Sequence, residues 1–160
     1  MKFKDLREFI VFLEEKGDLR RIKTSVSWDL EIAEVADRAV KSGGPALLFE
    51  NVDGYETPVL INIFGTHQRM AWALGVDHID EITQRVRKLL EMIQGPPSGM
   101  MGKMRVLGDL AGLVKTQPKM IEQAPCQEVV LAGQDADIGL IPALKCWPLD
   151  AGRYITFPLV

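Results

Sequence analysis

Leu6, Phe9, Ile10 and Leu13 recur at helical spacing, which predicts a short amphipathic helix opening on Asp5 and Glu8 and stopping at Gly17. Beyond the stop, LRRIKTSVS alternates. Arg20, Ile22, Thr24 and Val26 lie on one side and Arg21, Lys23 and Ser25 on the other, the pattern of a strand near a sheet edge with its basic residues in water. Ser27 is the expected N-cap of the next helix, whose stripe is Ile32, Val35, Ala36, Ala39 and Val40, with Asp29 and Glu31 favouring its positive end. Gly43 or Gly44 ends it. PALLFENV and TPVLINIFGT follow as continuous apolar runs, the signature of strands covered on both faces, and DGYE between them is a turn.

Thr66 is placed to cap HQRMAWALG, and Asp77 to cap HIDEITQRVRKLLEMIQ, where Ile79, Ile82, Val86, Leu89, Leu90 and Ile93 predict a core-facing stripe. Helices alternating with buried strands make residues 1–95 an α/β layered domain with a short sheet. GPPSGMMG then breaks the pattern, so residues 96–125 are expected to form a linker with weak helices. Residues 126–160 (CQEVVLAGQDADIGLIPALKCWP and RYITFPLV) are expected to be strands. An apolar strand running into Val160 leaves its backbone groups without partners, and the expectation is that the chain continues in its natural form.

Composition narrows the function classes. Of 160 residues 47% are hydrophobic and 26% charged, and the net charge is −3, so a packed core is expected and no basic field favours nucleic acid. No apolar run approaches the ~20 residues that span a bilayer. The two cysteines, Cys126 and Cys146, form neither a CxxC pair nor a disulfide framework, which points to free thiols in a reducing cytoplasmic setting.

Candidate chemistry is sparse. Gly43 and Gly44 follow a helix and precede a strand, the reverse of a phosphate-binding loop, so they read as a helix stop. GMMGKM has Gly102 and Lys103 in Walker order, but Pro97 stands where the first glycine belongs and Met104 replaces the magnesium-binding hydroxyl. His67 and His78 lack partners at zinc-ligand spacing, and His67 reads as a surface or capping residue. Cys146, with Asp150 after it, would make a nucleophile only if one of these histidines folded back onto it, so a buried structural thiol is expected. Asp135 and Asp137 read as turn formers before acid-base catalysts.

Taken together, DLREFIVFLEEKGDLRRI, LEIAEVADRAVKSGGPALLFENVDGYETPVLINIFGT, APCQEVVLAG and DIGLIPALKCWPLDAGRYIT resemble the N-terminal part of UbiD-type carboxy-lyases. These non-oxidative decarboxylases use prenylated flavin mononucleotide, and 3-polyprenyl-4-hydroxybenzoate decarboxylase of ubiquinone biosynthesis exemplifies them. The resemblance implies an N-terminal α/β domain, the first strands of an incomplete flavin-binding split β-barrel from residue 126, and a homo-oligomer in the full-length form. It implies an aromatic or α,β-unsaturated carboxylic acid as substrate, prenylated FMN with Mn²⁺ and a further K⁺ as cofactors, and membrane association if the substrate is polyprenylated. The family's catalytic and metal-binding residues correspond to none of these positions, so these 160 residues are expected to be inactive alone. Only Thr156 matches a position that lies against the flavin in some members; read by itself it is a β-branched strand residue. The alternative class is a non-catalytic module that pairs with another subunit through RYITFPLV.

Overall fold

The computed structural model describes residues 3–94, 118 and 120–155. The chain divides into two compact units, Met1–Ile79 with Asp137–Val160, and Asp80–Ala136.

The first unit is built on a three-stranded sheet of order β1–β2–β3: Leu19–Ile22, Ala46–Phe49 and Val59–Ile61. β1 runs parallel to β2 in the register Leu19 to Ala46, and β3 runs antiparallel to β2, pairing Ile61 with Leu47. Helix α1 (Leu6–Glu15) precedes β1, α2 (Glu31–Lys41) crosses from β1 to β2, and α3 (His67–Ala73) follows β3.

The central strand decides the layering. All four residues of β2 are buried, as its unbroken apolar run predicts. Ala46 and Leu48 point to one face and join Phe9 and Leu13 of α1 and Leu19 of β1. Leu47 and Phe49 point to the other and join Val26, Ile32 of α2 and Val52. On the first face, Phe12 meets the Trp72 ring edge-on at 5.4 Å, which ties α1 to α3. β3 is only half-buried, because it is an edge strand.

The helix ends follow their expected chemistry in most places. The Asp5 carboxylate accepts from the Glu8 amide at 2.9 Å, and the Thr66 hydroxyl accepts from the Arg69 amide at 3.2 Å. After α2, Gly43 takes the left-handed conformation (φ 65°), and its amide donates to Val40 O while that of Gly44 donates to Ala39 O. That is a Schellman closure, so the glycine pair is a helix stop.

Three expectations are corrected. Helix α2 starts at Glu31, not just after Ser27, because residues 28–30 direct backbone groups elsewhere; Leu30 N donates to Lys145 O and Lys145 N to Trp28 O. Helix α4 (Asp80–Gln94), in the second unit, covers its apolar stripe only in part, with Ile82 and Leu89 half-buried. Val86 is 49% and Leu90 51% exposed, because periodicity specifies a face and not a partner. Residues 126–143 form 3₁₀ turns at Pro125–Gln127, Gly133–Asp135 and Ile138–Leu140 instead of strands, and Val129, Val130 and Leu131 are exposed. Among the described residues, strand propensity there meets no neighbouring strand to complete a ladder. Only isolated pairings form among the described residues of 126–155.

Candidate functional site

The two ends of the sheet carry different chemistry. Where β1 and β2 begin and β3 ends, Asp18, Gly44, Asn62 and Arg69 form a polar knot. Arg69, 1% exposed, donates from Nη1 to Asp18 Oδ1 at 2.9 Å and from Nη2 to Gly44 O at 3.2 Å. Asn62, held at φ 60°, donates from Nδ2 to Pro45 O at 2.9 Å. Gly65 completes the knot, since a Cβ there would come within 1.7 Å of Asn62 Oδ1. Two buried atoms of the knot, Asn62 Oδ1 and Arg69 Nε, have no hydrogen-bond partner.

At the opposite end, beyond the C-termini of the parallel strands, residues 144–154 fold back onto the first domain. Leu144 and Tyr154 exchange both backbone hydrogen bonds, at 3.2 and 2.7 Å. Asp29 and Lys145 are bridged in parallel. The Arg153 guanidinium stacks 3.8 Å from the centre of the Trp28 ring and donates to Tyr55 Oη at 2.5 Å. Both rings pack on the α2-side core. This is the end of an α/β sheet at which ligand sites generally arise.

A groove of about 540 Å³ lies beside this contact, lined mainly by apolar groups of Leu30, Ala33 and Val40 from the α2 side and of Cys146, Trp147 and Pro148 opposite. Cys146 is therefore half-buried against a groove, not sealed in the core as expected. It is a free thiol, as is exposed Cys126. His67 and His78 are exposed and neither lines the groove. Asp150 closes a local turn, accepting from the Trp147 amide at 2.9 Å. Asp137 likewise accepts from the Gly139 amide at 2.7 Å, the turn-forming role read for it. Thr156, Pro97, Gly102, Lys103 and Met104 lie outside the described residues.

No group of three His, Cys, Asp or Glu side chains converges among the described residues, and the two unpartnered buried atoms belong to the knot at the far end of the sheet. Sequence reasoning missed Arg69, Asn62 and the Arg153–Trp28–Tyr55 cluster. A charged residue inside the apolar RMAWAL stretch of α3 was the one available signal for the knot; the cluster joins positions too distant in sequence to leave any.

Comparison with known proteins places this architecture. Residues 10–93 match the 3-octaprenyl-4-hydroxybenzoate carboxy-lyase N-terminal domain, and residues 119–160 match the Rift-related domain of the same enzymes. The chain belongs to the UbiD family of carboxy-lyases. It is 49% identical over its whole length to an uncharacterised protein of Archaeoglobus fulgidus, and it spans 32% of that relative's length. Among solved structures, the closed form of vanillic acid decarboxylase from Sedimentibacter hydroxybenzoicus superimposes with a TM-score of 0.68 at 28% identity, covering 96% of this chain and 29% of that one. An evolved dimeric form of the UbiD-class enzyme HmfF from Pelotomaculum thermopropionicum, solved with prFMN, matches 60% of this chain and 21% of its own at 33% identity and a TM-score of 0.46.

Proposed function

We propose that these residues are the N-terminal portion of a prenylated-FMN-dependent decarboxylase acting on an aromatic or α,β-unsaturated carboxylic acid. The observation that carries this is the succession of the two domain matches, 10–93 and 119–160, in one chain that aligns end to end with a relative about three times as long. In this reading residues 1–95 form one wall of the substrate cleft, 96–125 link, and 126–160 begin a split β-barrel in which Thr156 lies against the flavin. The exposed run Val129–Leu131 becomes a barrel strand once its neighbours are supplied.

Decarboxylation leaves an electron pair that needs a sink, and the modified flavin would supply it. The residues that orient that cofactor, its Mn²⁺ and K⁺, and the proton donor belong to the remainder of the protein, so residues 1–160 alone are inactive. A cytoplasmic homo-oligomer is the expected full-length form, with 3-polyprenyl-4-hydroxybenzoate of quinone biosynthesis as one substrate candidate.

The intact mass of the native protein, captured with an antibody against residues 1–95, tests this first. A mass well above 17.8 kDa is expected, and the long form loaded with prenylated FMN should release CO₂ from a panel of aromatic acids. A native mass of 17.8 kDa would overturn the reading.

A further inference from the structure

Residues 28–30 are equipped for two arrangements. Part of a helical cap is already in place ahead of α2: Ser27 Oγ accepts from the Asp29 amide at 3.1 Å, and Ser27 N donates to Glu31 Oε2 at 2.7 Å. Asp29 would then sit in the first helical turn, where a negative charge is favoured. The helix nevertheless begins at Glu31, and Leu30 is held at φ 69°, a left-handed conformation that a residue with a Cβ adopts only at a cost.

The restraint comes from the hairpin of residues 144–154. Its Lys145 takes the Trp28 carbonyl at 3.2 Å and the Leu30 amide at 3.0 Å, and its Arg153 covers the Trp28 ring. Arg153 is exposed and Lys145 only half-buried, so these bonds lie where local opening costs far less than global unfolding. The same hairpin carries Cys146, Trp147 and Pro148, one wall of the groove whose other wall includes Leu30.

We propose that the hairpin is a latch on the N-terminus of α2. Docked, it holds residues 28–30 out of the helix and closes one side of the groove. Released, it lets Leu30 leave its left-handed conformation, α2 grow back to its cap at Ser27, and the groove open. Both arrangements give the Trp28 carbonyl and the Leu30 amide a partner, Lys145 when docked and the helix and its cap when released, which is what makes the element two-state and not merely loose.

Amide exchange and backbone chemical shifts of the 160-residue chain test this in three variants. Arg153→Ala should speed exchange of the Lys145 amide about tenfold, the size of a lost cation–π contact and hydrogen bond, while the shifts of Trp28, Asp29 and Leu30 move toward helix. Arg153→Lys should recover part of the protection. Leu30→Gly should do the reverse, slowing Lys145 exchange about fivefold or more, because glycine relieves the left-handed strain and disfavours the helix. Faster exchange at Lys145 with no helical shift at 28–30 would overturn the coupling. So would no change in Arg153→Ala, faster exchange in Leu30→Gly, or equal acceleration at Leu48 in the central strand, which would make the effect global.

Discussion

Arg69 Nη1 sits 2.9 Å from Asp18 Oδ1, an ion pair whose cation is 1% exposed and whose carboxylate is 28% exposed. The pair ties the start of β1 to α3, and through Gly44 O the same guanidinium reaches the start of β2. Removing the carboxylate would strand a buried charge, which is far costlier than losing an exposed pair. Asp18→Asn is expected to destabilise the chain by about 3 kcal/mol, measured by urea unfolding. Replacing both partners, Asp18→Asn with Arg69→Met, should cost less than Asp18→Asn alone, because no charge is then left buried.

Glycine substitutions should separate strain from collision. Gly43 has open space around its missing Cβ and a left-handed backbone, so Gly43→Ala should cost about 1 kcal/mol. At Gly65 a methyl would meet Asn62 Oδ1 at 1.7 Å and Arg69 Nη2 at 3.0 Å, inside the knot. Gly65→Ala should cost at least about 2 kcal/mol, and the difference is readable as the shift between two denaturation midpoints.

Arg21 of β1 is exposed yet not left to water. Its Nε and Nη2 reach Glu14 at 2.7 and 3.0 Å and its Nη1 reaches Glu50 at 2.7 Å. Hydrogen bonding to this guanidinium holds the Glu14 carboxyl below the ordinary glutamate range. A carboxyl whose pKa is lower folded than unfolded contributes stability above its unfolded value, about 4.3, and loses it as pH falls through the folded value. Arg21→Gln should return Glu14 to its ordinary titration, followed by NMR of its side-chain carboxyl. The stability gap between the two proteins should close as the pH drops below that window.

Core and stripe residues should respond unequally despite similar hydrophobicity. Ile32 is 0% exposed beneath α2, and Ile32→Ala should cost about 3 kcal/mol. Val86, on the exposed part of the α4 stripe, is 49% exposed, and Val86→Ala should change stability by under about 0.5 kcal/mol. Thermal unfolding of both variants checks the pair.

The thiols should also separate. A maleimide is expected to modify exposed Cys126 before half-buried Cys146, and alkylation of Cys146 alone should perturb the fluorescence of its neighbour Trp147. Peptide mass mapping over a time course reads the order.

Local determinants were legible in the sequence. The helix stop at Gly43, the caps at Asp5 and Thr66 and the double-sided burial of β2 follow from a few neighbouring residues each, because positive φ, orphan amides and unbroken apolar runs are short-range matters. The family, too, was legible, since long strings resemble it wherever they fold. Tertiary structure alone decided the start of α2, the knot around Arg69 and the stacking of Arg153 on Trp28. Each depends on groups brought together from distant parts of the chain, and propensity yields wherever such a partner offers the backbone a better use for its hydrogen bonds. The same rule explains the exposed Val129–Leu131 run: a strand needs a neighbour, and among the described residues none stands beside it.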